Sequence, residues 1–320
     1  MRFFSTCTLA LCSLVLTSAA QADIVWNVTY NDVVNSTGVG FNDASLGASR
    51  RATFESVLAY VSNVTNESGS VNFTLNSSRT DGTGSLASAG SLYSGLPGFQ
   101  KSLVQQGIQG TSTFAGSSGS ATFDFGYNWN SVLAAPSASQ FDLFSVSLHE
   151  MTHAMGFASL IGTTGESLFQ NGNSGTFSNY DQFLRLSDNT PFFTGTTFTA
   201  TADNNANGIV DVLESNQVVF TGANAIAANG GVPVPVYSPS IYSPGSSISH
   251  ITNPTGVMQF SIAPGVAHRS YNNVELGILK DMGYSGIITA VPEPSSFFAV
   301  SLFGLFATVC LRRTRKSAES

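Results

Sequence analysis

Cysteine is nearly absent from this chain: three occur among 320 residues, Cys7, Cys12 and Cys310, each close to an end. Residues 23–290 therefore offer no disulfide framework, no thiolate metal ligand and no cysteine nucleophile. Charge is scarce as well. Asp, Glu, Lys and Arg make up 10% of the residues, and the formal net charge is -7. Nucleic-acid binders cluster basic residues on one face, so no nucleic-acid partner is expected. Histidine appears only at positions 149, 153, 250 and 268, which limits imidazole chemistry to those side chains. Long apolar runs are confined to the termini.

Those termini read as processing segments rather than parts of a fold. Arg2, an apolar run from Leu9 to Leu16 and Ala20-Gln21-Ala22 make a secretory signal over 1–22, cleaved before Asp23. At the other end Val291-Pro292-Glu293-Pro294 precedes an apolar stretch from Phe297 to Leu311, then Arg312-Arg313-Thr314-Arg315-Lys316. About 15 apolar residues is short for a permanent span, and the basic cluster suits a cytoplasmic stop. This tail, 291–320, resembles the PEP-CTERM sorting signal of Gram-negative bacteria. The resemblance implies export across the inner membrane and delivery to the cell surface or medium. It also implies membrane contact through the terminal segments alone, with the export machinery and an exosortase-type enzyme as partners.

Across the chain 42% of residues are hydrophobic and 31 are glycine, which suits a sizeable core in a loop-rich protein. Alternation over 23–30 places Ile24, Trp26, Val28 and Tyr30 on one face of a strand. Phe54, Val57, Leu58 and Val61 have the spacing of a helix from Ser49 to Val64, and Val71, Phe73 and Leu75 alternate as a second strand. The Gly- and Ser-rich stretch 77–120 yields no clear element. Residues 121–129 alternate again. Ser139 and Asp142 form a capping pair ahead of a broadly apolar helix containing Phe141, Phe144, Leu148 and Met155. From 157 to 249 periodicity is weak, and loops and short strands over the site are expected. A last helix spans Ser270 to Tyr284, capped by Ser270 and ended by Gly283.

The chemistry sits in His149-Glu150-Met151-Thr152-His153-Ala154-Met155-Gly156-Phe157. Helical residues four apart share a face, so His149 and His153 can offer two imidazoles to one ion. Zinc suits two imidazoles, a third protein ligand and one open position. Glu150 is then the general base that takes a proton from the attacking water. Gly156 is the natural stop, because a left-handed residue costs glycine little.

The third ligand must come from elsewhere. A short-spaced motif would place it at 159, where Ser159 stands. Glu166 follows too closely in a Gly-rich loop, and Glu214 lacks a convincing helix. His250, in a polar loop eight residues before Met258, is the better candidate; His268 is the other. Here the chain resembles the leishmanolysin-like branch of the metzincins, on HEMTHAMGF, ISHITNPTGVMQF (248–260) and NVELGILKDMGY (273–284). The insertion separates His153 from His250 by 97 positions. The resemblance implies an α+β metzincin-like zincin: a twisted sheet with an edge strand and an active-site helix, then a loop-rich part with a Met-turn and a closing helix. By it, zinc is held by His149, His153 and His250, Met258 is the Met-turn residue, and 121–129 is the edge along which a peptide substrate pairs. The resemblance further implies a metallopeptidase domain over 23–290, with an N-terminal subdomain over 23–158 and a C-terminal one over 159–290. No propeptide cysteine is available to block the metal.

A second metal motif lies in the insertion. Asp203-Asn204-Asn205-Ala206-Asn207-Gly208-Ile209-Val210-Asp211-Val212-Leu213-Glu214 satisfies every defined position of a calcium loop. Asp203, Asn205, Asn207, Asp211 and Glu214 would supply side-chain oxygens and Ile209 its carbonyl to Ca²⁺. The preceding segment is strand-like, so a full EF-hand is not expected, and a solvated Asn/Gly turn is the plain alternative. Three further readings of the chain stay open: a non-catalytic surface or matrix protein on a metalloprotease scaffold, a calcium-stabilised binding module, and an enzyme that hydrolyses a non-peptide amide.

Overall fold

A computed structural model describes residues 23–287 apart from 34–36, 113 and 170–174. The signal segment and the tail lie outside the described residues, and among those described no helix is long and apolar enough to cross a membrane. The architecture is mixed α+β. Strand β1 (Ile24–Tyr30), helix α1 (Gly47–Thr65), β2 (Gly69–Arg79), β3 (Ala87–Ser91), β4 (Gly98–Gln100), α2 (Leu103–Ile108) and β5 (Gly119–Asp124) lead to the short β6 (Trp129–Asn130) and β7 (Phe141–Asp142). Helix α3 (Leu143–Ala154) follows directly.

The main sheet has the order β1-β2-β5-β3. β1, β2 and β5 run parallel, and β3 is antiparallel to β5 at the edge. Parallel neighbours need a crossover, which α1 supplies between β1 and β2. The alternation read in the sequence sets the faces. Val71, Phe73, Leu75, Ala121 and Phe123 point inward and are buried against Phe54, Val57 and Val61 of α1 and Leu143, Phe144 and Leu148 of α3. Asn27, pairing in register with Asn72, points outward, and its amide donates to the Asn72 side chain at 3.0 Å. One residue of register slip would reverse both faces, so the pattern holds the pairing.

Three expectations are corrected. Strand β5 ends at Asp124 and lies between β2 and β3, so 121–129 is not the edge. That place belongs to β3, in the stretch whose small residues gave no readable alternation. Helix α3 starts after Asp142, whose carboxylate accepts from the Ser145 N–H at 3.1 Å; Ser139 is not its cap. The closing helix, which begins at Asn273, is capped by Asn272 rather than Ser270.

Beyond α3 the chain is mostly irregular. It carries β8 (Thr176–Ser178), β9 (Leu184–Leu186), β10 (Phe193–Thr194), β11 (Thr197–Phe198), β12 (Val218–Phe220), the one-and-a-half-turn α4 (Ala223–Ala228) and β13 (Val234–Pro235), before α5 (Asn273–Asp281). These short pieces do not stand apart. Tyr180, Phe192, Phe198 and Phe220 join the same buried cluster as the sheet and α3.

Candidate metal centre

Helix α3 presents His149 and His153 one turn apart on one face. It ends at Ala154, and Gly156 just beyond has a φ of 102°, where a β-carbon is disfavoured. That turn sends the chain off so that the Phe157 carbonyl comes back to His153. His250 arrives from a loop ordered by its own backbone: the Ile248 N–H donates to the Tyr237 carbonyl at 2.7 Å, and the Tyr237 N–H to the His250 carbonyl at 2.8 Å. Ile248 has φ 58°, a costly conformation for a β-branched residue. Such strain persists only when the surroundings impose it.

The three imidazoles meet through their Nε2 atoms. His149 and His153 are 3.0 Å apart, and each is 3.2 Å or less from its neighbour in the trio, with His250 at 3.2 Å from both. Each Nδ1 faces a backbone carbonyl: Val257 for His149 at 2.7 Å, Phe157 for His153 at 2.8 Å and Ser246 for His250 at 2.7 Å. A carbonyl only accepts, so each Nδ1 must carry the proton and each neutral ring offers a bare lone pair at Nε2. Burial keeps the rings neutral. It pushes His250 down to about 3, helped by repulsion from His149. Burial likewise lowers His149, and His153 further, with repulsion from the other two.

Three inward lone pairs repel unless a cation lies between them. A tetrahedral zinc with bonds of about 2.0–2.1 Å sets its nitrogens about 3.3 Å apart, close to the spacing found. The donor set therefore fits zinc. Among the described residues this is the one group of three or more His, Cys, Asp or Glu gathered closely enough to hold a metal ion.

Glu150 is 5% exposed, and its Oε2 has no hydrogen-bond partner among the described residues. Burial alone pushes its carboxyl up to about 8. A cation among the three imidazoles would favour the ionised form. Glu150 and the three histidines line a recess of about 500 Å³ with Leu86–Ala89 of the edge, the 256–262 segment and His268.

His268 lies in the recess but not among the ligands. Its N–H donates to the Ser145 hydroxyl at 2.8 Å, one helical turn before His149. Met258 is fully buried; its carbonyl accepts from the Ile251 N–H at 3.0 Å, tying it to the residue after His250.

In the 203–214 loop residues 204–208 are exposed, whereas Val210, Val212 and Leu213 are buried in the core. The Asp203 carboxylate accepts from the N–H groups of Asn207 at 3.2 Å and Gly208 at 3.0 Å, and the Asn207 side-chain oxygen from Ile209 at 2.8 Å. Asn205 also accepts from the Asn207 N–H, the Asn207 amide reaches Glu214, and that of Asn204 reaches Asp211.

The sequence left two contributors unnoticed. The edge strand β3 carries Ala, Ser and Gly, whose alternation is faint. The Asn272-x-x-Glu275 capping box is legible in the sequence, and it, not Ser270, caps α5. No protein-family model, curated protein or solved structure matches this chain.

Proposed function

We propose that this chain is an exported zinc-dependent endopeptidase of the metzincin type. The supporting observation is the convergence of three Nε2 atoms in a recess that Glu150, whose buried Oε2 has no partner among the described residues, also lines. A structural zinc is closed by four protein ligands, whereas a catalytic one keeps a position open. Zinc held there would supply Lewis acidity to a carbonyl and lower the pKa of water.

The chain's own groups do the rest. The Glu150 carboxylate takes the proton of the attacking water and passes it to the departing nitrogen. The carbonyls of Val257, Phe157 and Ser246 hold the three ring tautomers. Strand β3 pairs with β5 along one side only, and its other side borders the recess, where an extended peptide can add as a strand. A non-catalytic scaffold would explain the histidines but not Glu150. Its carboxylate is no ligand and costs desolvation energy where it lies. Export and tail sorting rest on 1–22 and 291–320.

The test is cleavage of unfolded proteins by the purified chain beside Glu150→Gln. Expected is a fall of about 10²–10⁴-fold with zinc retained. Equal activity in the variant would remove Glu150 and the peptidase reading together.

We also propose that the 203–214 loop binds calcium and braces the insertion. The observations in favour are the carboxylate and amide oxygens of Asp203, Asn205 and Asn207 already turned onto backbone N–H groups within the loop, which shapes the turn that Ca²⁺ ligation requires.

A further inference from the structure

We propose that Glu275 is a positioning residue for the metal ligand His149 and acts on it through a single peptide group. The inference rests on the reading that the three histidines hold a metal. The Val257–Met258 peptide has His149 at one end and Glu275 at the other. Its carbonyl accepts the His149 Nδ1–H at 2.7 Å, and its N–H donates to Glu275 Oε1 at 2.7 Å. The second oxygen, Oε2, accepts from the Asn272 N–H at 2.9 Å.

Glu275 is fully buried, and no ion pair to it is found among the described residues. A carboxylate at the N–H end of a peptide polarises it and makes the carbonyl at the far end a stronger acceptor. His149 is thereby held in one tautomer with a more basic Nε2, as a direct carboxylate partner would hold it. Neighbouring residues make room for this contact. A β-carbon on Gly256 would lie 2.7 Å from Glu275 Oε1, so only glycine lets the 256–258 backbone come this close. Met258 also ties back to Ile251 through its carbonyl, so the same residue steadies the loop that carries His250.

Glu275 is at the same time the third residue of α5 and half of its capping box with Asn272. Helix capping alone would explain its burial. Asn272→Ala separates the two roles, because it removes the cap but leaves both backbone N–H donors to Glu275 in place. The experiment compares the full chain with Glu275→Gln, Asn272→Ala and Gly256→Ala. It reads zinc affinity by chelator competition and the histidine Nδ1–H resonances of ¹⁵N-labelled protein.

Expected for Glu275→Gln is zinc binding about tenfold weaker. The His149 Nδ1–H resonance moves, while that of His153, bonded to Phe157, stays. Gly256→Ala keeps the charge but displaces it and moves the same resonance, which carries the test if Glu275→Gln does not fold. Asn272→Ala leaves affinity and resonance as in wild type. Unchanged His149 resonance and zinc affinity in Glu275→Gln and Gly256→Ala, with wild type binding zinc, overturns the role of Glu275 and spares the metal site. Wild type that binds no zinc overturns both.

Discussion

Arg269→Ala should destabilise the fold more than any other surface-reaching substitution near the site. The guanidinium grips Asp142 with two bonds, Nε at 2.9 Å and one terminal nitrogen at 2.5 Å, and also donates to the carbonyls of Leu133 and Ala134. Asp142 is fully buried and Arg269 only 16% exposed. Removing one partner of a buried pair costs about 3–5 kcal/mol, mostly for the charge left behind. Asp142 would still accept from the Ser145 N–H, the Ser145 hydroxyl at 2.6 Å and the Asn130 amide at 3.2 Å. That places the loss at the low end, about 3 kcal/mol. For a domain of this size it corresponds to roughly 6–12 °C in Tm. The assay is urea unfolding with chelator present, run as a double-mutant cycle with Asp142→Asn. The coupling should be about 2 kcal/mol, because Asn still caps a helix but no longer needs the cation. A loss under about 1 kcal/mol, or strictly additive mutants, would refute the reasoning.

Asp181 gives a pH dependence of definite sign. Burial pushes its carboxyl up to about 6, against 3.8 ordinarily, despite hydrogen bonds from Ser159, Leu160 and Ser178. Its contribution is whole below the ordinary value and is lost as pH rises to about 6, because the unfolded chain releases the proton first. The gap amounts to about 3 kcal/mol at most. The stability difference between wild type and Asp181→Asn should therefore drift between pH 4 and 6, and a constant difference would show that Asp181 does not titrate this way. For the insertion, calcium at a hundred times its dissociation constant should stabilise the fold by about 2.7 kcal/mol. Glu214→Gln should abolish that gain in a thermal melt, whereas no calcium effect on the wild type would leave 203–214 a solvated turn.

What could be read in the sequence follows physical range. His149, Glu150 and His153 are local, because a helix's own periodicity brings them together. The strands with Val71, Phe73 and Leu75 or Ala121 and Phe123 alternate strongly because both lie inside the sheet against α1 and α3. The edge is different. β3 buries little beyond Ala87, so Ser88, Ala89 and Gly90 leave no apolar signature of the edge. His250 was reachable only as one of two remaining histidines with Met258 behind it. Nothing local states that Ser246, Tyr237 and a strained Ile248 would turn it toward α3. The Glu275 contact was out of reach for the same reason. A capping box is legible over four residues, but the peptide it steadies lies 17 positions away.

The charge balance of the recess suits a metal ion held by the three histidines. Three imidazoles are neutral ligands, so a dication keeps its full charge. Among the residues lining the recess, Glu150 is the only carboxylate and no Lys or Arg is present. In a medium of low effective dielectric, that one anion is the natural counter-charge. Its own burial raises its pKa, and a cation among the imidazoles would lower it. Under the proposed function, these opposing effects would suit a group that both takes and returns a proton. A fourth protein ligand would have cancelled more of the ion's charge and closed the open position. A second carboxylate in the recess would have drawn the field away from Glu150. The scarcity of charge noted across the chain thus leaves Glu150 as the one counter-charge in the recess for a cation bound by the three histidines.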